Sequence, residues 1–146
     1  MSAGRIVIRK YQDSDYEAVA ALWKAVFPND PPWNEPEELI GRKRAAQPDL
    51  FWIAQEGGHI LGAVLAGYDG VRGWIYHLAV DPSHRRKGIA RLLMHAAENT
   101  LETLGCPKIN LQIRMHNTGV VDFYKSLGYC VEERVQMGKP LGKYRK

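Results

Sequence analysis

The stretch DPSHRRKGIARLL, Asp81–Leu93, decides how the chain is read. Arg85, Arg86 and Lys87 run into a lone Gly88, after which apolar residues recur at helical spacing. Ile89, Leu93, Ala96, Ala97, Leu101 and Leu104 make one stripe opposite Arg91, Glu98 and Glu102, which predicts a helix from about Gly88 to Leu104. Gly105 ends that helix and Pro107 keeps it ended. The residues before the stretch, GWIYHLAV, predict a strand. Cations, glycine and helix start therefore coincide where a strand hands over to a helix. A helix start carries unpaired N–H groups and a partial positive charge, so it seats an anion. Gly88 keeps a side chain away from that backbone, and the three cations add charge around it, which predicts a diphosphate seat.

Working outward, RIVIRKY alternates apolar and polar residues and predicts a strand from about Arg5 to Lys10. Ser14 with Glu17 makes a capping-box pattern ahead of Tyr16, Val19, Ala20, Trp23, Val26 and Phe27, a first amphipathic helix. A proline-bound loop leads to a second, short helix, with Asn34 as its cap and Pro36 in the first turn. LFWIAQE, a Gly57-Gly58 turn and HILGAVLAGY predict two antiparallel strands, too closely joined for a crossover. After the long helix come a strand KINLQIR, a short helix TGVVDFYKSLG closed by Gly128, and a final strand YCVEERVQM. The order β-α-α-β-β-β-α-β-α-β is a mixed α/β (α+β) arrangement around one sheet. At 146 residues and 45% hydrophobic, the chain is expected to form a single domain over 1–146.

The net charge of +4 suits an anionic ligand. It is too dilute for a dedicated nucleic-acid binder, and no strand carries an aromatic ladder. Cys106 and Cys130 form no CxxC pair and have no histidine at ligand spacing, so no metal is expected. No apolar run nears the roughly 20 residues of a membrane span, and the first residues lack the apolar core of a signal peptide. A cytoplasmic protein without membrane partners is the expectation. The spacing before Gly-Lys-Ser/Thr of a nucleotide P-loop is missing, as is G-x-G-x-x-G, which argues against nucleoside triphosphate hydrolysis and dinucleotide binding.

Arg85-x-x-Gly88-x-Ala90 resembles the R/Q-x-x-G-x-G/A motif of the GNAT N-acetyltransferase superfamily. NTGVVDFYKSLGY is similar to that family's second signature, an Asn seven residues before a Tyr and then L-G-Y/F. PPWNEPEELIGRK, GYDGVRG and GCPKIN resemble the bacterial YpeA-like branch. The resemblance spans essentially the whole chain and implies the GNAT fold, with acetyl-CoA as co-substrate and an amine as acceptor. It implies that Arg85, Arg86, Lys87 and Gly88, with Ile89, Ala90 and Arg91 of the first helical turn, hold the pyrophosphate. It also implies that the main chain of Leu78, Ala79 and Val80 pairs with the pantetheine arm, as an added strand would.

Asn117 would reach the pantetheine or cap the next helix. Tyr124 is the expected acid, since a phenol can protonate the thiolate that leaves. The amine must be neutral to attack, yet neither GWIYHLAV nor INLQIR offers the strand carboxylate that many relatives use as base. His77, Asp69, Glu35 and water remain as bases. The backbone N–H near Leu78 or Ala79 is the expected oxyanion donor, and Trp33 and Trp74 are candidate acceptor walls. Direct attack in a ternary complex is expected, because neither signature contains a cysteine. The missing carboxylate leaves a non-catalytic acyl-CoA binding module as the alternative. The acceptor is a small amine or a peptide or protein amine, and the protein a monomer or homodimer.

Overall fold

A computed structural model describes residues 4–145. The chain divides into two compact units, Met1–Leu111 and Gln112–Lys146. The first is built on a sheet of five strands in the order of the chain: β1 (Ile6–Lys10), β2 (Phe51–Glu56), β3 (His59–Tyr68), β4 (Gly73–Val80) and β5 (Ile109–Leu111). The pairs from β1 to β4 are antiparallel and β4–β5 is parallel. The connections explain the difference: the turn after Glu56 and the turn after Tyr68 permit hairpins, whereas β4 and β5 are joined through a helix.

Three helices cover this sheet: α1 (Tyr16–Val26), α2 (Pro36–Ala45) and α3 (Ile89–Thr103). Val19, Leu22 and Trp23 of α1 and Ile40 of α2 share a core with Phe51, Ile53, Ala63, Leu65 and Ala79. A Cβ built on Gly62, one residue from Ala63, would meet Ile89 and Leu93 of α3, so α1 and α3 lie on opposite faces. Because both faces of β3 are covered, Leu61 to Ala66 are buried without interruption.

The start of α1 differs from the expectation. Ser14 lies inside a short 3-10 turn, Asp13–Asp15, and Asp15 precedes the helix. Asp15 accepts from the Gln12 backbone N–H at 2.8 Å and from both terminal nitrogens of Arg9 at 2.8 Å, so this pinned carboxylate sets the turn in place of Ser14. Likewise Glu35 rather than Asn34 precedes α2, with Pro36 at the first position; Asn34 ends a 3-10 turn, Pro32–Asn34.

The second unit holds α4 (Gly119–Ser126), closed as expected by Gly128 at φ +97°. The predicted final strand YCVEERVQM does not form: residues 129–137 carry no regular structure, with Val131, Val135 and Met137 at 73%, 90% and 90% exposure. A strand exists only when an edge pairs with it, and Gln112–Lys146 contains no strand among the described residues. The predicted strand 108–114 also shortens to Ile109–Leu111, because the chain leaves the sheet where the first unit ends.

Candidate functional site

The sheet opens beside β4. The β4–β5 ladder runs from Gly73↔Ile109 to Ile75↔Leu111 and stops. From Tyr76 to Val80, β4 has no strand partner on that side among the described residues, the pattern that addition of an extended ligand as a strand requires. Leu78, Ala79 and Val80 occupy this edge, where the resemblance expects the pantetheine segment. A bulge interrupts the other side: Tyr76 faces Leu65 and Ala79 faces Ala63, leaving His77 and Leu78 opposite Val64 alone. Such a bulge withholds main-chain groups from the ladder, as an oxyanion donor at Leu78 or Ala79 requires.

Beyond Val80 the chain turns through Pro82–His84, where the Asp81 carboxylate accepts from the Ser83 N–H at 2.9 Å. That bond, with a second from the Ser83 hydroxyl, holds the Asp81 carboxyl below its ordinary range. The basic run follows, with Arg85, Arg86, Lys87 and Gly88 exposed. Arg86 and Gly88 have φ +68° and +77°, which bend the loop onto the axis of α3. A Cβ on Gly88 would meet nothing within 4 Å, so the left-handed backbone rather than crowding by the protein demands glycine here. No side chain caps α3 and no acid lies in its first turn, formed by Ile89, Ala90 and Arg91. The positive end of a fifteen-residue helix is thus open beneath three cations.

The α1 face of the bulge carries the histidine. His77, at φ +52°, sets its ring edge-on to Trp23 at 5.2 Å and Phe27 at 4.8 Å between centroids. Its Nε2 lies 2.7 Å from Asp30 Oδ2, in the loop between α1 and α2. Asp30 had no signal in the sequence: it sits 47 residues away, and only the fold brings it to His77. The other base candidates are differently employed. Asp69 accepts from the N–H groups of Val71 and Arg72 at 2.8 and 2.9 Å, which lowers its pKa and commits it to the turn. Glu35 is exposed, with its carbonyl serving α2. Trp74 is half-buried on β4; Trp33 is exposed, and its carbonyl accepts from Arg42. Lys43 of α2 donates to the Ala66 carbonyl, and burial pulls its amine down to about 8.

Within the second unit, Asn117 is exposed and precedes Thr118, which stands at the start of α4; neither side chain caps the helix. Tyr124 is half-buried, its ring 5.1 Å from that of Phe123 and 5.9 Å from that of Tyr129. Burial pushes its phenol up to about 12. It is therefore protonated at any working pH, and a weaker acid than an exposed tyrosine. Among the described residues no group of three His, Cys, Asp or Glu side chains is gathered to hold a metal ion, and no helix is long and apolar enough to cross a membrane.

Residues 16–129 match the Acetyltransferase (GNAT) family. The chain belongs to the GNAT acetyltransferase family. An acetyltransferase of Yersinia enterocolitica is 41% identical over 92% of this chain and 94% of its own, and one of Pectobacterium atrosepticum is 42% identical over the same shares. Among solved structures, the aminoglycoside N-acetyltransferase AAC(6')-Iy in complex with CoA superposes with a TM-score of 0.77 at 21% identity, covering 96% of this chain and 97% of that one. Ard1 from Thermoplasma volcanium reaches 0.79 at 22% identity over 88% and 84%. This GNAT protein is an acetyl-CoA-dependent N-acetyltransferase. The site has the chemistry for such a donor: an uncapped helix start with cations for a diphosphate, and an unpaired strand edge for a chain of two amides.

Proposed function

We propose that the protein transfers the acetyl group of acetyl-CoA directly to a primary amine while both are bound. The observation that carries this reading is the pairing of two features on one strand–loop–helix: the free β4 edge at Tyr76–Val80 and the uncapped start of α3 behind left-handed Gly88. Arg85, Arg86, Lys87 and the first turn of α3 hold the pyrophosphate; Leu78, Ala79 and Val80 hold the pantetheine through their main chain. The resemblance assigns Asn117 to the pantetheine as well. Tyr124 returns a proton to the departing sulfur. Both units serve one catalytic domain, a reading supported by a family match that runs through Leu111 without a break. The acceptor is a small amine or a peptide amine, and the cytoplasm, where acetyl-CoA is plentiful, is the setting. The absence of a carboxylate from β4 and β5 favours a second reading, a module that binds acyl-CoA without turnover.

The test is a screen of CoA release from acetyl-CoA over amine and peptide libraries, with calorimetry of CoA on the native protein and on Arg86→Ala. Turnover with at least one amine, and CoA affinity lowered about tenfold in Arg86→Ala, is expected. Tight CoA binding with no amine acetylated would establish the second reading, and no CoA binding would remove both.

A further inference from the structure

We propose that Asp30 and His77 form a base pair of side chains that takes the proton from the attacking amine, His77 being the catalytic residue and Asp30 the positioning residue. The inference rests on the acetyl-transfer reading above. Four observations converge on it. The 2.7 Å contact places Asp30 Oδ2 on Nε2, so the ring donates Nε2–H to the carboxylate and carries its lone pair on Nδ1. Nδ1 has no hydrogen-bond partner among the described residues, and it is not sealed in, Trp23 Nε1 being the buried polar side-chain atom left without a partner. Trp23 of α1 and Phe27 just beyond its end brace the ring edge-on, which fixes its orientation. Finally, the bulge sets His77 next to Leu78, at the end of the strand edge that opens away from β5.

A left-handed backbone is uncommon outside glycine, and histidine is among the residues that tolerate it. Here φ +52° belongs to the residue that supplies the only imidazole on β4. Strain of this kind gathers where a side chain must be aimed. Asp30 is the acid at the ring; Trp23 of α1 and Phe27 just after it meet the ring, β3 pairs opposite at Val64, Tyr76 precedes it on β4, and Lys43 of α2 is tied to the Ala66 carbonyl. The reaction balances without another reagent. The amine nitrogen bonds to the thioester carbon, the C–S bond breaks, one amine proton passes to His77 Nδ1, and the sulfur receives a proton from Tyr124. Asp30 stabilises the imidazolium that results, and solvent returns both side chains to their starting states.

The experiment compares native protein with His77→Asn, which tolerates the left-handed backbone, and Asp30→Asn, which keeps the shape of the loop. CoA release from acetyl-CoA is followed from pH 5 to 9 with spermidine, neamine and a peptide with a free N-terminus, alongside calorimetry of CoA and nitrogen NMR of the imidazole. Native protein should lose kcat/KM on the acid side. His77→Asn should lower kcat about a hundredfold with CoA affinity unchanged, leaving an acid limb set by protonation of the amine alone. Asp30→Asn should lower kcat at least tenfold, and His77→Asn/Asp30→Asn no further than His77→Asn alone. The NMR should show the Nε2–H tautomer in native protein and its loss in Asp30→Asn. Turnover in His77→Asn with the native pH profile, or an Nδ1–H tautomer in native protein, would overturn the proposal while leaving acetyl transfer intact. CoA release from native protein with none of the three amines would sink the transfer reading and the base with it.

Discussion

Asp15 is 4% exposed, with both carboxylate oxygens on the Arg9 guanidinium and Arg9 in turn on Gln55 at 2.7 and 3.0 Å. The Arg9 hydrogen bonds hold its carboxyl below the ordinary 3.8 against the opposing effect of burial. Stability from a depressed carboxylate is present above the unfolded value and is lost as pH falls through the folded one. Asp15→Asn should therefore cost about 2 kcal/mol at pH 7, less than a fully buried pair because Arg9 keeps some water. In urea titrations that gap should persist down to about pH 4 and close below it. A gap that widened in acid would contradict the assignment. Tyr124 acts at the same scale. With its phenol near 12, Tyr124→Phe should reduce kcat about a hundredfold and leave CoA affinity unchanged. No alkaline limb from this group should appear below pH 10, and equal turnover in the two proteins would remove the acid role.

Among the elements, the proposed cofactor seat depends on how closely α3 lies against β3. Gly62 allows that approach: a Cβ there would stand 3.0 Å from both the Ala79 carbonyl oxygen and Leu93, and 3.1 Å from Ile89. Ala79 belongs to the strand edge proposed for the pantetheine and Ile89 opens α3, so a larger residue at 62 presses on both at once. Gly62→Val should cost about 2 kcal/mol in thermal unfolding and weaken CoA binding several-fold, through displacement of α3 rather than any ligand contact. Loss of stability with CoA affinity fully kept would show that the helix start tolerates the shift. Gly41 of α2 is the control, since its Cβ would meet nothing within 4 Å and its backbone is helical.

For the whole molecule, a net charge of +4 with Arg85, Arg86 and Lys87 exposed together predicts electrostatic attraction of a polyanionic cofactor. Raising salt from 50 to 300 mM should weaken CoA binding about threefold to tenfold, and Arg86→Ala should flatten that dependence. An affinity indifferent to salt would mean that the backbone of α3 binds without help from the cations. Most of the architecture was legible from local pattern. Five strands, the fifth shortened, and four helices announce themselves through apolar spacing, cap and proline signals and the breaks at Gly57-Gly58, Gly105 and Gly128, because those patterns are written within a few residues. The Arg85-to-Ala90 motif was legible for the same reason. The exposed run 129–137 was misread, since apolar residues in a row state a preference and only a neighbouring edge can satisfy it. Sequence alone thus determined the family, the order of elements as far as α4 and the basic run ahead of α3, each encoded in contiguous residues. Tertiary structure decided the β4 bulge, the divergence of β4 from β5 and the meeting of Asp30 with His77, because each depends on groups far apart in the chain whose distance only packing sets.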